Sequence, residues 1–162
     1  MSNGKSSKDT SLSKERLRLW LKLLKTSSSI EAELRRRLRD QFGSTLPRFD
    51  VMSALYRTPD GLKMSEISER LKVSNGNVTG IVERLVEDGM ALRLAVPGDR
   101  RANRVKLTAA GLKAFAELAA AHENWINEML GELDPEQIET MSELLQVVLH
   151  PAEIRESAAN AE

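Results

Sequence analysis

The side chains best suited to chemistry fall in two short runs: Ser74-Asn75-Gly76-Asn77-Val78-Thr79, with Arg84 after it, and Asp99-Arg100-Arg101, with Arg104 and Lys106 after it. The first offers hydroxyls and carboxamides, which can pair with the edges of bases and, near a helix N-terminus, with phosphates. The second is a knot of cations suited to a polyanion. A guanidinium on a hairpin fits a narrow minor groove, where negative potential is enhanced. Asp99 would repel phosphate, so its expected role is to hold a neighbouring arginine or the turn. Nothing comparable serves covalent catalysis. The chain has no cysteine, hence no thiolate nucleophile, thiolate metal site or disulfide. His122 and His150 stand in no metal-ligand spacing, and no phosphate loop or dinucleotide glycine fingerprint occurs. Catalytic residues, a metal and a cofactor are therefore not expected.

These runs need elements to present them. Ser65 is expected to cap a short helix through Lys72, and Ser74 a second one over 75–88. The second helix carries Val78, Ile81, Val82 and Leu85 on one side and has Gly89 placed to end it. If that side is buried, Asn75, Asn77, Thr79, Gly80, Glu83 and Arg84 face outward. Two short helices so closely joined read as a helix-turn-helix. After Gly89 the period becomes two: Leu92, Leu94 and Val96 alternate with Ala91, Arg93 and Ala95, and Val105 and Leu107 with Arg104 and Lys106 around a Pro97-Gly98-Asp99 turn. That pattern predicts a hairpin over 91–107. Gly76 and Gly80 each cost a helix about 1 kcal/mol relative to alanine. Either another helix packs closely there or something outside the chain, such as a DNA strand, approaches the backbone.

The flanks are helical. Trp20, Leu23, Ser27, Ile30, Leu34 and Leu38 form a stripe from Ser13 to about Asp40. A helix over about 47–57 starts at Leu46-Pro47 and stops at Pro59-Asp60-Gly61. Thr108 caps a helix to Leu130, and a last helix over about 135–149 carries Ile138, Met141, Leu144, Leu145 and Val148 at three- and four-residue steps. The expected fold is mainly α with a small β-hairpin wing. Its parts are a tail over 1–12, helical flanks over 13–45 and 109–150, the helix-turn-helix and hairpin over 46–108, and a frayed end over 151–162; the family resemblance described below implies that the flanks form a dimerisation lobe and 46–108 a DNA-binding lobe.

Composition agrees. At 41% hydrophobic, 30% charged and 4% aromatic residues, 162 residues suit one helical domain with an appendage. Net charge is zero, but residues 1–107 hold 22 Lys/Arg against 13 Asp/Glu and residues 108–162 hold 2 against 11. A basic half can bind phosphate while an acidic half faces elsewhere. Without a secretory leader or a run of about 20 apolar residues, a cytoplasmic protein is expected.

The run Gly98-Asp99-Arg100-Arg101, followed by Val105-Lys106-Leu107-Thr108 and Gly111, resembles the wing signature of the MarR family of transcriptional regulators, and Ser74–Thr79 sits where that family's recognition helix begins. The resemblance spans roughly 14–150. It implies a homodimer with two winged helix-turn-helix lobes on a pseudo-palindromic operator in double-stranded DNA. Ser74, Asn75, Asn77, Thr79, Arg84, Arg100, Arg101 and Arg104 are the candidate DNA contacts. It also implies a small-molecule pocket between lobes, for which Trp20, Tyr56, His122 and Trp125 are candidates. Arg35, Arg36 and Arg37 form either an acid-binding patch or a solvated helix face. The Asn75–Gly80 run is similar to regulators of aromatic-acid catabolism, implying an aromatic acid or aryl-coenzyme A thioester as effector. The competing reading is a winged-helix protein-interaction adaptor that docks through its acidic C-terminal helices.

Overall fold

The computed structural model describes the backbone of residues 4–71, 75–96 and 99–150. Among the described residues, six helices and three strands follow in the order α1 (Gly4–Phe42), α2 (Leu46–Tyr56), β1 (Leu62–Lys63), α3 (Met64–Leu71), α4 (Asn75–Glu87), β2 (Ala91–Val96), β3 (Asp99–Leu107), α5 (Ala109–Leu130) and α6 (Pro135–Leu149). The chain forms two compact units, Met1–His122 and Glu123–Glu162.

α1 begins well before Ser13, so the segment expected to be a tail is helical from Gly4. No proline interrupts it, and extending an existing helix costs far less than nucleating one. α2 starts as its sequence dictates: Thr45 takes an extended conformation, its hydroxyl accepts the Arg48 N–H at 3.3 Å, and Pro47 occupies the first turn. α3 departs from expectation at its start. Met64 is already helical, and the Glu66 carboxylate reaches back to accept the Lys63 N–H at 2.7 Å. Glu66, rather than Ser65, closes this end, because a carboxylate three residues in can satisfy the backbone donor before the helix.

α4 ends at a glycine in the left-handed region, Gly89 with φ 70°. The Met90 N–H donates to the Leu85 carbonyl at 2.8 Å and the Gly89 N–H to that of Val86 at 3.0 Å, the paired bonds of a Schellman cap. α6 opens with a capping box in which Asp134 and Gln137 satisfy each other's backbone N–H groups at 2.9 and 3.1 Å.

β2 and β3 form the expected antiparallel hairpin, with Ala91 opposite Leu107, Arg93 opposite Val105 and Leu94 opposite Arg104. β1 adds a third strand on the far side of β3, Leu62 opposite Val105, giving the order β1-β3-β2. Among the described side chains of β2, Ala91 is buried, whereas Leu94 is 40% exposed. The core of the first unit gathers Leu38, Val51, Met52, Leu55, Leu62, Ile67, Val78, Val82, Leu85 and Val105, all at most 2% exposed. No described helix is long and apolar enough to cross a membrane.

Candidate nucleic-acid interface

α4 is held by its apolar side. Val78, Val82 and Leu85 are fully buried, so the helix cannot roll without exposing them to water. Asn77, Gly80, Glu83 and Arg84 are exposed on the opposite side, and Thr79 and Ile81 are half-buried between. Asn75 begins the helix, and Ser74 lies outside the described residues. The Arg48 guanidinium meets the Asp88 carboxylate at 2.7 Å, joining the start of α2 to the end of α4. As a partly exposed pair it contributes direction more than stability.

The wing is locked to the same helix. The Thr108 N–H donates to the Met90 carbonyl at 3.0 Å, its hydroxyl donates to the Gly89 carbonyl at 2.6 Å, and that hydroxyl accepts the Gly111 N–H at 3.1 Å. A Cβ on Gly111 would lie 1.9 Å from the Met90 carbonyl oxygen. Only glycine permits this crossing, which explains physically why Thr108 and Gly111 belong to the same run as the wing arginines. The end of the recognition helix, the base of the hairpin and the start of α5 thus make one rigid joint.

Arg100 and Arg101 stand near the start of β3, at the hairpin end, and their side chains lie outside the described residues. Arg104 is half-buried and its Nη1 donates to the Gly61 carbonyl at 3.1 Å, tying β3 to the turn after α2. That bond gives it a positioning role in the wing. Arg93 is exposed on β2.

The Arg35–Arg37 run pairs largely within its own helix. Arg35 meets Glu31 at 2.7 Å, Arg36 meets Glu33 at 2.6 Å and Asp40 at 3.3 Å, and Arg37 meets Glu33 at 2.7 Å. Hydrogen bonds from Arg36 and Arg37 pull the Glu33 carboxyl down to about 2. Arg35 and Arg36 are exposed and Arg37 is half-buried, and Arg35 lines a cleft described below.

The pocket candidates separate. Tyr56 and His122 join Phe115 and Phe49 in one aromatic cluster: Tyr56–Phe115 centroids are 4.9 Å apart, Phe115–Phe49 5.5 Å, and His122 stacks on Phe49 at 4.7 Å. Burial holds His122 below its ordinary value, opposed by the Asp50 carboxylate. Burial raises Asp50 in turn, with His122 and Arg35 opposing and Glu31 reinforcing. Trp20 is 56% exposed on α1, and Trp125, in the second unit, is buried. None of the four lines a cleft of about 740 Å³ between α1, α2, the end of α3 and α4. Sequence reasoning missed this cleft, although its two glycines, Gly76 and Gly80, had stood out as unexplained. No cluster of three or more metal-ligating side chains occurs among the described residues.

A MarR family model matches residues 42–102, from the end of α1 to the wing. A solved MarR family transcriptional regulator from Silicibacter pomeroyi is 36% identical and superposes with a TM-score of 0.72, over 86% of this chain and 96% of that one. The chain belongs to the MarR family. Among curated MarR-like regulators it is 25% identical to the HTH-type transcriptional regulator MhqR of Bacillus subtilis, over 85% of this chain and 93% of that protein. The fold is also that of a MarR family regulator from Streptomyces coelicolor solved in complex with DNA, at 22% identity and a TM-score of 0.75, over 85% of this chain and 87% of that one. These relatives are transcriptional regulators, in agreement with the expectation of a non-enzymatic, DNA-binding protein of mainly α fold with a small sheet.

Proposed function

We propose that this MarR-family chain is a cytoplasmic, homodimeric repressor that reads a pseudo-palindromic operator and releases it on binding a small aromatic acid or its coenzyme A thioester. The observation that carries the DNA contact is α4: Val78, Val82 and Leu85 are fully buried, its polar side is open, and a joint at Thr108 and Gly111 holds an arginine-bearing hairpin beside it. Asn75, Asn77, Thr79 and Arg84 enter the major groove, with Ser74 at the helix start on phosphate. Arg100 or Arg101 enters the flanking minor groove.

Dimerisation is supported by apolar faces that the single chain leaves uncovered. α1 exposes Leu17, Trp20, Leu21 and Leu24, and α6 exposes Ile138, Met141, Leu144, Leu145 and Val148. An exposed apolar stripe on a helix of this kind marks an interface. In this reading 13–45 and 109–150 form the dimerisation lobe and 46–108 the DNA-binding lobe, placing two recognition helices one turn of duplex apart, about 34–36 Å. Repression is the simpler outcome, since a dimer seated on its operator excludes other proteins from it. One relative, IacR of Pseudomonas putida, is named a repressor. The effector works only if it binds the DNA-free form more tightly, because equal affinity shifts nothing.

Two measurements test this. Duplex binding followed by fluorescence anisotropy weakens steeply with salt, roughly a thousandfold between about 50 and 200 mM for about six phosphate contacts. An adaptor would bind no duplex even at low salt. A thermal-shift screen of aromatic acids and their thioesters raises the melting temperature for one class. A flat screen would remove ligand control.

A further inference from the structure

Several carboxylates of the first unit are taken up by neighbours. On α1, Glu15 pairs with Arg18, Glu31 with Arg35, and Glu33 with Arg36 and Arg37, each at a three- or four-residue step. Glu66 accepts the Lys63 N–H at the start of α3, and Asp88 meets Arg48. Glu83 on α4 is different. It has no ion pair or hydrogen bond among the described residues, and the positions three and four steps away on its helix, Thr79, Gly80, Val86 and Glu87, hold no cation.

The roll of α4 sets this carboxylate on the outward line. With about 3.6 residues per turn, the buried Val78, Val82 and Leu85 occupy one side, and Gly76, Gly80, Glu83 and Glu87 fall on the opposite one, flanked by Asn77 and Arg84, all of them exposed. A Cβ at Gly76 or Gly80 would meet nothing within 4 Å. No side chain therefore stands on this line for the two turns before Glu83. The backbone of α4 can lie close to a duplex, and the first side chain to arrive there carries a negative charge.

A carboxylate is the costliest group to bring into the major groove. Phosphates repel it, the purine N7, guanine O6 and thymine O4 acceptors repel it, and stripping its water without a donor in return is unfavourable. The donors on offer are the exocyclic amines of cytosine and adenine, and adenine sets its N7 acceptor beside its N6 donor, so cytosine N4 is the match. We infer that Glu83 is a specificity-determining residue, which accepts a hydrogen bond from cytosine N4 at one base pair of each half-site and penalises every other base there. This rests on the DNA-binding reading proposed above. The arginines of α4 and the wing attract duplex of any sequence through its phosphates, whereas Glu83 turns most sequences away.

The test uses the full chain and three exposed-site variants, Glu83→Ala, Glu83→Gln and Glu87→Ala, with circular dichroism unchanged in each. Duplexes are selected from a random pool, and affinities are then measured on the wild-type site and on versions altered at single pairs. Wild type should enrich a C·G pair at one position per half-site and bind duplexes altered there about tenfold or more weakly. Glu83→Ala should bind the altered and unaltered duplexes alike, and random duplex more tightly than wild type does. Glu83→Gln, whose carboxamide can pair with adenine N6 and N7, should move the preference at that position to A·T. Glu87→Ala, which removes the same charge one turn later, should keep the wild-type sequence.

The wild-type preference retained in Glu83→Ala would overturn the inference while leaving the DNA reading intact. So would an equal loss of affinity for all sequences, the sign of a residue that holds the wing rather than reads a base. A Glu87→Ala protein that lost the same preference would reduce the effect to charge alone and overturn it too. A wild-type chain that binds no duplex at low salt would sink the DNA reading itself, and this inference with it.

Discussion

α4 and α6 carry the same apolar rhythm and meet opposite fates. Val78, Val82 and Leu85 on α4 are fully buried, while Ile138, Met141, Leu144, Leu145 and Val148 on α6 are 40–67% exposed, and no residue of α6 is buried. Three- and four-residue spacing reports that a helix face needs cover, not what covers it. In α4 the chain supplies that cover, which leaves the polar side to face DNA. In α6 the apolar side itself is what the chain presents, and a second copy is the partner that would present a matching face.

The sharpest way to break this contrast is one substitution made twice. Leu85→Asp places a carboxylate in the core at a cost of several kcal/mol, enough to consume much of a stability of about 5–15 kcal/mol, and should abolish the cooperative urea transition. Leu145→Asp should leave that core folded and yield monomer in light scattering. A Leu145→Asp protein that stays dimeric and binds DNA would refute the interface.

Glycines sharpen the same contrast inside the first unit. Gly111→Ala drives a Cβ into the Met90 carbonyl and should cost about 1–3 kcal/mol. Gly80→Ala meets open space and should stabilise by up to about 1 kcal/mol in urea denaturation. Equal effects would mean that α4 is not open along this face.

Smaller differences separate the wing arginines. Arg101→Ala should lower the salt slope of DNA binding by about 1 and leave the urea midpoint in place. Arg104→Ala, which loses its bond to Gly61, should cost about 1 kcal/mol of stability. Smallest is a pH effect on α1. The Glu33 carboxyl is depressed from 4.5 to about 2, so its contribution is complete above about 4.5 and disappears as pH falls through about 2. Acid titration by circular dichroism should show α1 losing helix in that window, and Glu33→Gln should reduce the dependence.

Features written in local chemistry were legible. Gly89 announced the end of α4 and Thr108 the start of α5, because caps act over a few residues. The hairpin showed in its period of two, although the inward residue of β2 proved to be small Ala91 and not Leu94. β1 left no signal, since two residues cannot show a period and Leu62 is a strand residue only through Val105. The cleft was hidden for a similar reason: four elements enclose it, and no local pattern contains it. Its trace was the cost of Gly76 and Gly80, which left helix packing and an outside molecule as alternatives until the empty space beside both removed the first. Tyr56 and His122, candidates for a ligand pocket, pack with Phe49 and Phe115 in one aromatic cluster.

Selection of duplexes from a random pool by the full chain at physiological salt tests the central claim most directly. Two outward α4 faces in a symmetric dimer should enrich an inverted repeat whose half-sites lie about one helical turn apart, roughly 10 base pairs, and Asn77→Ala should relax one position in each half. Enrichment of no sequence, or of a single unrepeated site, would contradict the account.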